Sequence, residues 1–273
     1  MINSMNAENK KLDLRIIIAA MNSEQLLKHC LNSIIENTRK INYEIVVIDN
    51  GSKDNTIEML RQNFPQVKVI GNSKNMGVAP SRNQGLQNNG ARYALILDAD
   101  TTVQPEALDK MVQFMDEHES IGICGSRLES PDGELQLTCR RFHNILIPFL
   151  RRLTFLSVVR NSYFLNRFLM EDYNHKNPKK VDHVIGACQM IRKDLIEKIG
   201  LLDDRMFYGW EDTDYCVRGK KAGYDTWYYP YATIVHHEQR VTKRRMFNRL
   251  FFENIKSMIL FFGKYPSGLI GKY

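Results

Sequence analysis

Residues 92–100 read RYALILDAD. An aliphatic run from Ala94 to Leu97 ends in two carboxylates with one small residue between them, Asp98-Ala99-Asp100. The run has the length and composition of a buried strand. It therefore delivers two acids to its own carboxyl end, where nothing within the nine residues can neutralise them. The same pattern stands upstream. LRIIIAA (residues 14–20) and EIVVID (residues 44–49) are strand-like, the second ending in Asp49, and VKVI (residues 67–70) is a third, shorter strand.

Helical patterns separate these strands. After the first come Asn22 and Ser23 as cap candidates, then an apolar face of Leu26, Leu27, Cys30, Leu31, Ile34 and Ile35. NGSKDNT turns into a helix that stops before Pro65, and Pro80 opens another that ends near Gly90. Beyond the acids, Pro105 starts a helix to about His118, followed by the strand IGICGSR and a PDG turn (residues 131–133). VIGACQMI (residues 184–191) reads as strand, and Glu211 to Ala222 as helix with Gly223 just past its end. Strands alternating with helices predict βαβ units and a mainly parallel sheet, an α/β fold. In such sheets ligands bind beyond the carboxyl ends of the strands, where Asp49 and Asp98 both stand.

The 273 residues suffice for one large α/β body, and 43% hydrophobic against 25% charged residues is ordinary for a globular chain. The formal charge of +7 is unevenly placed. Residues 140–180 and 239–273 each carry +7, leaving −7 on the rest. An acidic body with two basic patches suggests contact with an anionic membrane surface or a lipid phosphate. Five scattered cysteines argue against a disulfide framework and for a reducing compartment. The first residues, MINSMNAENKKLDLR, lack a signal-peptide core, and no apolar run is long enough to span a bilayer. These features predict a cytoplasmic protein, peripheral on the inner face of the cell membrane. No nucleic-acid reader motif accompanies the basic patches, so nucleic acid is not an expected partner.

Two carboxylates at i and i+2 past a strand suit a hard divalent cation, Mn2+ or Mg2+, which accepts one or two protein carboxylates and fills its shell with water and phosphate oxygens. Acids are also common in turns, and a solvated strand end is the bland alternative. GWEDTDYC places Trp210, Glu211, Asp212 and Asp214 at a helix start, where the helix dipole alone favours acids. Asp212 could also take the proton of an attacking hydroxyl. His236 and His237 follow the strand-like YATIV and offer a further metal ligand or a phosphate contact. In NMGVAPSRNQG, Arg82 could pair a phosphate bidentately, with Asn83 beside it.

The order of these motifs (a strand plus Asn22, VVIDNGSKDNT, N-x-G-x-x-x-x-R-N-x-G, LILDADT, PDG, GACQMIRKD, GWEDTDYCVR, AGY and a late histidine) resembles the family 2 glycosyltransferases of GT-A fold, bacterial rhamnosyltransferase-like members above all. The resemblance runs from about Leu14 to His237. It implies inverting transfer of a sugar, rhamnose being one candidate, from a nucleoside diphosphate sugar (dTDP or UDP) to a hydroxyl on a lipid-linked or polysaccharide acceptor. By motif, Ala20 and Asn22 would border the nucleotide, Asp49 would meet the base, Arg82 and Asn83 the nucleotide, and Asp98 and Ala99 the ribose and sugar. Asp100 would bind the metal with His236, which its spacing from Pro230 favours over His237. Asp212 would be the base, with Glu211 and Trp210 shaping the acceptor side. Gly186 and Ala187 serve either close approach of backbone to sugar or acceptor, or tight strand packing.

One departure stands out: Ala20-Met21-Asn22 lacks the aromatic that the family often places before the asparagine. The chain divides by this reading into a GT-A body (1–238), an acceptor- or membrane-side insertion within it (140–180) and a basic C-terminal helical segment (239–273). In that last segment Phe247, Leu250, Phe251, Ile255, Met258, Ile259 and Phe262 recur at helical spacing, either as core packing or as an interfacial membrane helix. Two other functions fit some features. A sugar-phosphate nucleotidyltransferase would carry a Gly-rich loop after the first strand, which IIIAAMNSEQ lacks. A noncatalytic carbohydrate- or lipid-binding module would be expected to lose the acids that this sequence retains.

Overall fold

A computed structural model describes residues 11–238 and 249–273. The strands are β1 (Leu14–Ala20), β2 (Tyr43–Asp49), β3 (Lys68–Gly71), β4 (Tyr93–Asp98), β5 (Thr101–Val103), β6 (Ile121–Glu129), β7 (Leu135–Gln136), β8 (Cys139–Arg140), β9 (Lys179–Val181), β10 (His183–Val184), β11 (Cys188–Arg192) and β12 (Asp225–His236). The helices are α1 (Glu24–Asn37), α2 (Thr56–Asn63), α3 (Val78–Leu86), α4 (Ala107–Asp116), α5 (Leu146–Arg152), α6 (Ser157–Arg160), α7 (Tyr163–Leu169), α8 (Lys193–Ile199), α9 (Glu211–Lys221) and α10 (Arg249–Lys264).

One mixed sheet runs β3-β2-β1-β4-β11-β6-β12-β5, with β7 added to β6 and β9 to β12. Its first four strands are parallel, and β11 lies antiparallel between β4 and β6. Register matters for the site. Ala20 sits opposite Asp49 on one side of β1, and Ala19 opposite Asp98 on the other. Two carboxylates thus flank a strand end of small residues, at the point where the order of connection reverses direction and a crevice opens.

Helices cover both faces. On one face Leu27, Cys30, Leu31 and Ile34 of α1 are buried with Met111 and Met115 of α4. On the other, α3, α8, α9 and α10 enclose Ile17, Ile96, Tyr215 and Phe261. Ile35, expected on the buried face of α1, is exposed. The start of α1 is satisfied from outside: the Ser23 and Glu24 amides donate to the Thr56 hydroxyl and the Asp54 carboxylate. Asn22 and Ser23 make no side-chain cap; Asn22 instead accepts from the Lys53 amide. That exchange ties the loops after β1 and β2 together at the cleft.

Three boundaries differ from the sequence reading. Helix α3 begins at Val78, where Gly77 at φ +97° turns the chain, so Pro80 falls in the first turn, where its missing N–H costs nothing. It ends at Leu86, ahead of Gly90, because Gln87 is already extended. The strand expected over residues 184–191 breaks into β10 and β11, with Ile185 to Ala187 bending between them. Residues 140–180 hold three short helices and parts of two strands, β8 and β9.

The C-terminal helix is docked on the body. Phe261 and Phe262 pack on the Trp210 ring at 5.1 and 5.5 Å between centroids, each buried aromatic contributing about 1.5–3 kcal/mol. The Lys264 ammonium pairs with Asp203 and Asp214, and the Tyr265 hydroxyl donates to Asp214 at 2.9 Å. Of the predicted stripe, Met258 and Phe262 face the core and Ile259 faces solvent, while Phe247 lies outside the described residues. Among the described residues no helix is long and apolar enough to cross a membrane.

Candidate active site

The cleft is built from strand ends on one side and the start of α9 on the other. Asp49, at the end of β2, is buried; one carboxylate oxygen accepts from the Ser52 amide at 3.2 Å. Its Oδ1 is buried with no partner among the described residues. A buried, unsatisfied acceptor is costly, so this oxygen is poised for a donor from a ligand. Beside it lies a cavity of about 170 Å3 lined by Ala20, Met21, Asn50, Gly77, Phe207 and Tyr208 among others. Phe207 and Tyr208 bring two aromatic residues to the cavity that Met21 also lines, from a loop 186 residues further along the chain than Met21 and invisible to motif spacing.

Asp98, Asp100 and His236 converge at the end of β4 and β12. One ligand atom from each lies within 4.8 Å of the others. His236 is the buried member of the histidine pair, as its spacing predicts, and its Nε2 stands 3.5 Å from Asp100 Oδ1. His237 turns away to the Thr102 hydroxyl at 3.2 Å. Gln136 of β7 fixes the ring. Its Nε2 donates to the His236 carbonyl at 2.9 Å, so its oxygen must face Nδ1, 2.8 Å away, and accept from Nδ1–H. Nε2 is then the nitrogen offered to the acids. Burial lowers the His236 pKa, but Asp100 and Asp98 outweigh it and raise it above the ordinary value. A proton and a cation would compete for that lone pair. Two carboxylates plus an oriented imidazole fit Mn2+ or Mg2+, with the imidazole favouring the former.

Arg82 joins the two sides. Its guanidinium donates to Asp98 Oδ1 at 2.7 Å, to Glu211 Oε1 at 2.9 Å and to the Gly186 carbonyl at 2.9 Å. Enclosed this way, Arg82 positions carboxylates, and the bidentate phosphate contact expected of it is not what this geometry offers. Asn83 is corrected too. Its buried amide exchanges two hydrogen bonds with the Leu202 backbone, at 2.9 and 3.0 Å, which ties α3 to the segment between α8 and α9.

Gly186 has a definite reason to be glycine: a Cβ there would lie 2.5 Å from Arg82 Nη1. Its carbonyl holds Arg82 and its N–H donates to Asp212 Oδ2 at 3.0 Å, so the close approach is to protein groups. The Ala187 carbonyl accepts from the Asp98 amide at 3.0 Å, steadying the acid next to the cation position. Ala99, nearly buried, separates the two acids.

The acids of α9 part company. Burial first, then the neighbouring Asp212 charge, push Glu211 up to about 7, against the pull of Arg82. Asp212 feels burial too, yet the His183 ring and the Gly186 and Thr213 amides hold it well below the usual carboxylate range. Its side chain is 18% exposed against 6% for Glu211, so Asp212 is the one that can meet a bound hydroxyl. His183 Nε2 lies 3.8 Å from Asp212 Oδ2. Sequence reasoning missed this histidine, and Arg140 with it. Antiparallel pairing of β8 with β10 sets Arg140 opposite His183, on the same face. Trp210 is corrected as well. Its backbone takes φ +76° and its ring is enclosed by His143, Phe261 and Phe262, so it supports α9 from beneath instead of lining an acceptor.

Residues 15–200, more than half of the chain, match the sequence profile described as glycosyl transferase family 2. The chain belongs to that family and is a glycosyltransferase. The N-acetylglucosaminyl-diphospho-decaprenol L-rhamnosyltransferase of Mycobacterium tuberculosis is 23% identical over 219 residues, 73% of this chain and 68% of that one. Glycosyltransferase AglE of Haloferax volcanii is 23% identical over 213 residues, covering 77% and 62%. Among solved structures, GalNAc-T7 with UDP, GalNAc and Mn2+ superposes at a TM-score of 0.62 and 18% identity, over 84% of this chain and 44% of that one. The mannosyltransferase PcManGT of Pyrobaculum calidifontis, with GDP-Man and Mn2+, gives 0.59 and 16%, over 96% and 73%. These likenesses establish the GT-A fold, and the family match sets aside the nucleotidyltransferase alternative.

Proposed function

We propose that the protein transfers a sugar, with inversion, from a nucleoside diphosphate donor to a hydroxyl of a lipid-linked or polysaccharide acceptor in cell-surface glycan synthesis. The observation that carries this reading is two acid groups joined by one linkage: Asp98, with Asp100 and His236, at the strand ends, and Glu211 and Asp212 at the start of α9, bridged through Arg82 and Gly186. The name of the mycobacterial relative makes rhamnose and a diphospho-polyprenol acceptor the first pair to try.

Asp49, with its unpaired oxygen, would accept from the imino N–H of a uracil or thymine base, and Phe207 and Tyr208 would bound that base. Asp100 and His236, with Asp98 adjacent, would hold Mn2+ or Mg2+. When bound, such an ion supplies Lewis-acid neutralisation of a diphosphate. Asp212 would accept the acceptor's hydroxyl proton as its oxygen bonds to the anomeric carbon. The bond from that carbon to the diphosphate oxygen breaks on the opposite face, and the nucleoside diphosphate departs. Glu211 lacks this freedom, one oxygen being held by Arg82 and the other buried. Arg82 and Gly186 keep the two carboxylate sets at fixed separation, the positioning contribution to rate.

The deciding test is calorimetric titration with dTDP and with UDP, each with and without Mn2+. Metal-dependent binding of either supports the reading, and the preferred base narrows the donor. No binding under any condition would overturn the assignment of Asp49 to the base and of Asp98, Asp100 and His236 to a cation-held diphosphate.

A further inference from the structure

Residues 135–170 contain six arginines and not one acid. Within them, α5, α6 and α7 bury little: Ile147, Leu165 and Phe168 form a small cluster of their own. Most of the remaining large apolar side chains face water. Phe155 is 78% exposed and Val158 83%, with Phe149, Leu156 and Phe164 also exposed. Three helices of at most seven residues gain little from local propensity. An apolar face of this kind on a folded chain marks a contact surface.

Its charge identifies the partner. Arg152, Arg160 and Arg167 are interleaved with the exposed apolar residues, and none forms an ion pair with a carboxylate among the described residues. The face continues onto the C-terminal segment. The Arg152 guanidinium lies 4.5 Å from the Phe251 ring centroid, and the Ile145 amide donates to the Leu269 carbonyl, next to the exposed Ile270. Apolar side chains among cations of one sign complement the interfacial layer of an anionic bilayer, where headgroups meet the arginines and acyl chains the rings.

We propose that α5 to α7 form an interfacial platform that seats the enzyme on an anionic lipid bilayer. The platform is fastened to the acceptor side of the cleft. The Arg141 amide donates to the Phe168 carbonyl at 2.9 Å, and the His143 ring packs on both Phe168 and Trp210, at 4.5 and 4.6 Å. If the acceptor is lipid-linked, a point that rests on the function proposed above, this seating brings its head group toward the side of the cleft that holds Asp212.

The test is co-sedimentation of the full chain with vesicles of phosphatidylcholine alone and of phosphatidylcholine with phosphatidylglycerol, at low and high salt. Binding to the anionic vesicles, weakened by salt, is expected. The double variant Phe155→Ser/Val158→Ser should lower the partition coefficient ~10-fold or more, from the apolar area withdrawn from the lipid. Arg160→Glu should lower it on anionic vesicles only. Sedimentation velocity without lipid examines the competing occupant, a second copy of the chain. A dimer dispersed by the serine variant, with no vesicle binding, overturns the proposal, as does wild-type binding unchanged in both variants. Metal-dependent nucleotide binding is measured in parallel. Its persistence without vesicle binding refutes the platform and leaves the transferase reading intact.

Discussion

From β1 to α4 the chain alternates strand and helix, and each acid reaches the cleft by standing at the end of its own strand. From β6 to the C-terminus the pairings are mixed, β12 running parallel to β6 but antiparallel to β5 and β9, and the groups facing the cleft arrive by pairings between distant segments. Asp49 and Asp98 are placed by local rules, since β1 fixes both through the register of Ala20 and Ala19. Asp212, His183 and His236 depend on Gly186, the β8–β10 pair and Gln136, none of which a strand pattern shows. The difference separates where binding groups come from and where reacting groups are aimed. The side proposed for the donor is a scaffold with acids at its edge. The side proposed for the acceptor is a set of carboxylates tuned by neighbours.

The sharpest break between the halves would come from Asp212→Asn. The variant keeps volume and most hydrogen bonds but loses the proton acceptor, so transfer should fall ~10²–10⁴-fold with nucleotide affinity unchanged. Near-normal transfer would remove Asp212 from the chemistry. Asp100→Ala works on the other half. It should abolish the Mn2+ dependence of nucleotide binding, a loss of ~10²-fold at saturating metal, judged against the smaller effects of residues that only orient ligands. Metal dependence that survives would refute Asp100 as a ligand.

The contrast also explains what was legible in sequence. The α/β class and the strand-end acids follow from periodicity and composition, because parallel strands point their carboxyl ends one way, whereas spacing from Pro230 only favours His236 over His237. Arg82 and Asn83 are given to the nucleotide by the motif resemblance, and a motif does not show which partners the fold supplies. Arg82 is taken by Asp98, Glu211 and Gly186, and Asn83 by Leu202, partners 16 to 129 residues away. Trp210 is similar: its ring packs on His143, Phe261 and Phe262, contacts between distant segments that no local pattern announces. The C-terminal stripe was correctly seen as amphipathic, but an apolar face does not say whether protein or lipid covers it. Lys264 and Tyr265, both reaching the buried Asp214, tie that helix to the body.

Glu211 tests whether the acceptor side is tuned at a cost in stability. Its carboxyl, pushed up from 4.5 to about 7, keeps its proton in the folded chain at pH values where the unfolded chain has lost it. Stability from this group is therefore full below pH 4.5 and declines as pH rises to about 7, by up to ~3 kcal/mol. Glu211→Gln cannot ionise. The difference in denaturant midpoint between wild type and variant should shift in the variant's favour from pH 5 to pH 8. A pH-independent difference would mean that Arg82 holds Glu211 ionised throughout.

The smallest effect asked for concerns Gln136, which belongs to the second half by sequence but serves the cation position of the first. It touches no ligand atom; it fixes which nitrogen of His236 faces Asp100, by donating to the carbonyl of the same residue whose ring it accepts from. Gln136→Leu keeps the volume and removes both bonds. Partners of this kind are worth 10–100-fold in metal affinity, and a short two-residue strand argues for the lower end, ~10-fold. The readout is Mn2+ affinity at saturating nucleotide, compared with metal-free nucleotide binding and melting temperature. A merely structural glutamine would lower all three together. A positioning glutamine lowers the first alone, and only that outcome shows that the irregular half of the molecule sets the chemistry of the regular half.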